Sequence, residues 1–202
     1  MEIKIENKIP DVKVEVNRSA DGSYSIKFFQ TKEKVLGDVK VGDTVTIGER
    51  EYIVLEHSAD TTAVIAKKPV KSMAFGKDGD YTKSDVRTYC NGEFYNELCN
   101  AVGRKNIIPH TVNLVSDDGS NKGASVKDNV SILTTDLYRR YRGLLPAIGS
   151  SCWTTTRVTT LNKDYARCVC YVGSRGFLGW GVCNCSLGVR PFCILNSSIL
   201  VS

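Results

Sequence analysis

The sequence predicts an α+β fold, with antiparallel sheets and two or three helices packed beside them. Three observations carry this prediction. Apolar and polar residues alternate through the first third of the chain, apolar residues at spacings of three and four mark helices in the middle, and short glycine-punctuated apolar runs return after Cys152. With 202 residues, 42% hydrophobic and 24% charged, the chain is long enough to bury one substantial core.

The first 34 residues read as period-2 strands: IKIE, VKVEV and SYSIKFF, the last two joined by the turn NRSADG. Their apolar residues (Ile3, Ile5, Val12, Val14, Val16, Ile26, Phe28) are too few for an independent core. Residues 1–35 are therefore expected to form a β arm that packs on the main domain or on a second copy of the chain, giving a homo-oligomer. Residues 36–202 are expected to form one domain. It opens with a meander of three strands turning at Gly48-Glu49-Arg50 and at Ser58-Ala59-Asp60. SDVRTYCNGEFYNELCNAVG starts on Ser84 and Asp85, good capping types, and spaces Val86, Tyr89, Phe94, Leu98 and Ala101 along one side. Gly92 interrupts it, which predicts two short helices meeting near Asn91-Gly92. IIPHTVNLV reads as a strand and SDDGSNKG as a polar turn; VSILTTDLYRRYRGLLP runs from a strand into a helix capped by Thr134 or Thr135, with Pro146 beyond its end.

No apolar run approaches the roughly 20 residues that cross a bilayer, so no membrane span is expected. MEIKIENKIPDVKVEV lacks the apolar core of a secretory signal. The net charge of +5 is spread without any block of like charge, which argues against nucleic acid as a partner. One feature runs the other way: from Ser150 onward Arg157, Lys163, Arg167, Arg175 and Arg190 stand against the single acid Asp164. Beside Tyr165, Tyr171 and Phe177 they would suit a single strand, but long side chains covering a sheet are the plainer reading. Only His57 and His110 are available as acid, base or imidazole ligand, and both are expected at the surface or at strand ends. No nucleophile elbow, phosphate loop, zinc-protease or dinucleotide motif occurs, and Asp117-Asp118 lack the alternating partners of a calcium loop. No catalytic residue, metal or cofactor is expected.

Two C-x-C pairs, Cys168/Cys170 and Cys183/Cys185, are an imperfect version of the C-x-x-C knuckle that zinc favours. Alternation in RCVCYVG puts Arg167 outside and Cys168 and Cys170 inside, whereas the burial of Cys183 and Cys185 stays open. Metal binding and disulfides are both weakly signalled.

SDVRTYCNGEFYNEL, VSILTTDLYRRYRGLLP and GVRPFCILNSSILVS, with the leading GDTVTIGEREYIVLEHS, resemble a bacterial and phage family of uncharacterised domains over residues 36–202. The resemblance implies a C-type-lectin-like fold. Some relatives are the variable proteins of diversity-generating retroelements, in which copying errors at adenines rewrite a C-terminal ligand-binding segment. Such errors in an asparagine codon cannot produce Lys, Glu, Gln, Met or Trp, and between Tyr165 and Gly188 only Trp180 falls outside the reachable set. The resemblance thus implies a non-catalytic receptor-binding protein, on a virion or cell surface, that takes a protein or other macromolecular ligand on a cell. Its ligand-binding residues would be Thr155, Arg157, Tyr165, Arg167, Val169, Tyr171, Arg175, Phe177, Trp180, Cys183, Cys185 and Leu187. Trp153 and Gly188-Val189-Arg190-Pro191 match the frame as scaffold, with Arg190 tying loops through carbonyls. The acidic calcium-and-sugar motifs of animal lectins are absent. The alternative is a metal-binding or cysteine-dependent enzyme related to formylglycine-generating enzymes, whose cysteine motif does not map onto the C-x-C pairs.

Overall fold

The computed structural model describes residues 12–30 and 34–202. The strand expected at IKIE lies outside the described residues. β1 (Val12–Arg18) and β2 (Tyr24–Gln30) form a two-stranded antiparallel hairpin. Its turn closes through Gly22, whose φ of 84° suits glycine, donating to the Ser19 carbonyl. β3 (Lys34–Val35) pairs with the last strand, β17 (Leu200–Val201).

The expected meander forms as β4 (Thr44–Ile47), β5 (Arg50–Ser58) and β6 (Thr61–Ala66), turning where the sequence places the breaks. β7 (Lys71–Ala74) leaves it for a second sheet. α1 (Asp85–Tyr89) is capped by the Ser84 hydroxyl, which accepts from Arg87 N. The expected break near Gly92 is a π-helical turn over Cys90–Phe94 that carries α1 directly into α2 (Tyr95–Val102). Asn91 explains the widening: its amide donates to the carbonyls of Arg87 and Val130 and accepts from the amides of Asn129 and Val130. Then follow β8 (Ile107–Ile108), β9 (His110–Asn113), β10 (Ser125–Asp128) and β11 (Val130–Ser131). α3 (Thr135–Tyr141) is capped by Thr134, whose hydroxyl accepts from Leu137 N at 3.0 Å. The chain closes with β12 (Cys152–Arg157), β13 (Cys168–Val172), β14 (Leu178–Val182), β15 (Ser186–Val189) and β16 (Phe192–Asn196).

Two sheets organise the domain. One runs β11-β16-β6-β5-β4, with β8 also on β16; the other runs β14-β13-β12-β15-β7. All pairings are antiparallel except β12 with β15. The result is an α+β domain with two helical segments, α1-α2 and α3. Consecutive burial of Tyr52, Ile53, Val54 and Leu55 shows why β5 departs from simple alternation: both faces of its sheet are covered. Tyr52, Val54 and Val64 face the principal core with Phe75, Val86, Phe94 and Trp153, while Ile53, Leu55 and Ile65 meet Tyr138 and Tyr141 of α3 and Phe192 of β16 on the other side.

Candidate ligand-binding surface

β12, β13 and β14 carry most of the residues expected to bind ligand. Their register sets which side chains share a face. Trp153 lies opposite Tyr171, and Tyr171 opposite Gly179; Cys152 lies opposite Val172, and Cys170 opposite Trp180. One face therefore holds Trp153, Val169 and Tyr171 against the principal core, and the other holds Cys168, Cys170, Val172, Trp180 and Val182.

Three expected surface residues are buried: Val169 and Cys183 at 0% exposure and Thr155 at 2%. The reason is position. β13 is flanked on both sides, its Val169 face lies on the principal core, and Cys168 and Cys170 on its other face are buried too, so the alternation that would free Val169 never operates. Between Trp153 and Arg157 the β12 register shifts, so a bulge, with Thr155 in it, replaces the regular outward repeat. Cys183 ends the β14 hairpin inside the principal core, its amide donating to the Arg167 carbonyl. Arg157, Tyr171 and Leu187 are half-buried. The Arg157 guanidinium donates to the Ala166 carbonyl at 3.0 Å, and Leu187 packs on the principal core.

Tyr165, Arg167, Arg175, Phe177, Trp180 and Cys185 are exposed. They do not form one surface. The Tyr165 and Trp180 rings meet edge to face at 5.6 Å, and Tyr171 and Phe177 meet likewise at 6.4 Å, but register places Trp180 and Tyr171 on opposite faces of the hairpin. The first pair is joined by Val182, two residues along the same face of the edge strand and 37% exposed. The second folds over the hairpin turn, with the Phe177 ring against Gly173 and the Tyr171 ring against Gly179. No ion pair among the described residues involves Arg167 or Arg175. No family model matches this chain, and no curated protein or solved structure matches it either.

The cysteines are all unpaired, and Cys185 alone is exposed. Cys168 and Cys170 are buried, in keeping with the phase argument from Arg167. Burial pushes the Cys170 thiol up to about 12 and Cys152 up to about 11, so both are neutral thiols near pH 7. Among the described residues no three His, Cys, Asp or Glu side chains group to hold a metal. His57 is half-buried and joins Thr62 Oγ1 to the Val39 carbonyl. His110, expected at the surface or a strand end, starts β9 but is buried: its Nε2 lies 2.9 Å from Ser131 Oγ and its ring meets Phe192 edge to face.

Sequence reasoning missed a polar cleft of about 370 Å³ lined by Asp80, Thr82, Asn121, Ser125, Arg157 and Thr160, among others. The SDDGSNKG loop reaches it through Asn121, and that loop is tied down and not a free turn. Asp117 and Asp118 amides donate to the carbonyls of Arg157 and Val158, and Ser120 Oγ bonds Thr160. Only the density of Ser, Thr, Asn and Asp in that stretch hinted at such anchoring.

Proposed function

We propose that this chain is a non-catalytic ligand-binding protein of C-type-lectin-like fold, which grips a protein or other macromolecule on a cell surface through its β13–β14 hairpin. The observation that carries the reading is the solvent-facing Tyr165–Trp180 pair with Val182 on an edge strand. Rigid aromatics, with Arg167 and Arg175 in no ion pair among the described residues, are the chemistry enriched at interface hot spots. The fold assignment draws support from the scaffold positions of the resemblance: Trp153 is 2% exposed with its indole donating to the Met73 carbonyl, and Arg190 Nε donates to the Ala66 carbonyl.

In this reading a retroelement diversifies the outward positions. Tyr165, Arg167, Arg175, Phe177 and Cys185 are exchangeable, Trp180 is a constant anchor among them, and Thr155, Val169 and Cys183 are held fixed by burial. Two experiments test it. The flanking DNA should contain a near-copy of the segment coding for residues 152–190, differing at adenines, beside a reverse transcriptase gene; its absence overturns diversification. Fluorescently labelled protein should bind a subset of a bacterial cell panel, and Trp180→Ala should reduce the bound fraction about tenfold or more while lowering the melting temperature by no more than about 4 °C. Equal binding by the variant removes this surface.

A further inference from the structure

Arg190 carries a charge that nothing nearby balances. Its side chain is 7% exposed, Nε donates to the Ala66 carbonyl at 2.7 Å, and Nη2 is buried with no partner. No ion pair among the described residues involves it. The ionisable groups that face it are the Cys152 thiol and the Tyr138 phenol, both of which burial keeps protonated near neutral pH. A guanidinium stays charged in a protein, and an enclosed charge without a counter-charge costs several kcal/mol.

Beside it lies a cavity of about 20 Å³ whose walls include Ile65, Leu133, Ile148 and Val172 as well as Cys152 and Arg190. That volume accepts one water-sized species. A water here could accept from Arg190 Nη2 but would bring no charge to balance the guanidinium. Tyr138 Oη donates to the Gly176 carbonyl and Thr154 Oγ1 to the Cys170 carbonyl, so both hydroxyl protons are already placed. A polarisable monatomic anion needs fewer directed bonds and supplies the missing charge.

We propose that this cavity binds a single halide-sized monoanion against the Arg190 guanidinium, and that its occupancy fixes the turn joining β13 to β14. The same cavity is lined by Gly173 and Gly176 of that turn, so filling it links the turn to α3 and to β16's approach. The inference does not depend on what the hairpin binds.

The probe is bromide. Crystals of the full chain grown in sodium bromide should give one anomalous peak within about 3.5 Å of an Arg190 guanidinium nitrogen, at charge-assisted contact distance. At constant ionic strength, exchanging gluconate for bromide should raise the melting temperature by about 3 °C. Val172→Ile, which adds a methylene to the cavity wall, and Arg190→Gln should each abolish that difference. A buried peak with no anomalous signal identifies a water and overturns the proposal, as does an equal melting temperature in both salts. Should Arg190→Gln fail to fold, the wild-type anomalous map and Val172→Ile still decide.

Discussion

The two tryptophans of this chain should respond oppositely to the same substitution. Trp153 is 2% exposed, meets Phe75 edge to face at 5.6 Å and donates to the Met73 carbonyl at 3.0 Å. Trp153→Ala removes this packing, leaves a cavity and strands a carbonyl, which together cost about 4 kcal/mol. In a chain of 202 residues that lowers the melting temperature by about 8 to 16 °C. Trp180 is 53% exposed and loses chiefly its edge contact with Tyr165, a cost of at most about 1 kcal/mol at a solvated site. Urea unfolding followed by circular dichroism measures both. Each variant also keeps a single fluorescent reporter: Trp180→Ala should emit at short wavelength and resist iodide, and Trp153→Ala should emit at long wavelength and be quenched. A loss above about 2 kcal/mol in Trp180→Ala would refute the assignment of Trp180 to the outer face.

Three further outcomes follow from the same geometry. Val169→Asp puts an unpaired carboxylate at a fully buried position and should unfold the domain at 37 °C, while Arg175→Asp should shift stability by less than about 0.5 kcal/mol; comparable melting temperatures would contradict the burial of β13. A colorimetric thiol reagent should label Cys185 rapidly in the native protein and reach all eight cysteines only in guanidinium chloride, and fast labelling of the buried pair Cys168/Cys170 would refute their enclosure. Burial holds the His110 imidazole below its ordinary value of 6.5, against a weaker opposing pull from Asp128. The unfolded chain takes up that proton first, so this contribution is intact above about pH 6.5 and is lost as pH falls below it. His110→Gln should therefore flatten the decline of melting temperature between about pH 6.5 and 5; an unchanged slope would count against a neutral, buried ring.

Local patterns made much of the scaffold legible. Val45, Ile47 and the β5–β6 residues alternate or cluster as pairing demands, and Ser84 and Thr134 announce helix starts that the structure realises. Gly92 marks the junction of α1 and α2 as expected, but the form of that junction, a widened turn fixed by Asn91 reaching a strand some forty residues away, has a partner that no local rule sees. The site was harder for a related reason. Alternation identifies an inner face only when the other face meets water, and β13 meets protein on both. The outward placement of Val169 and Thr155 that the resemblance implies fails for this reason. Their burial depends on α3, on the β12 bulge and on the order of strands in the sheet, all of which arise from distant segments.

The pairing of β3 with β17 has a mechanical consequence. Leu200 lies across from Val35 and Val201 from Lys34, and Ser202 exchanges amide bonds with Thr46. Tension applied between the hairpin side of β3 and the carboxyl end would peel these few bonds one after another, like a zip, and lift Val201 off the edge of the principal core before load reached the β13–β14 hairpin of the far sheet. An optical-trap handle attached after Ser202 should accordingly record an early, small extension that is separate from the rupture of the domain itself.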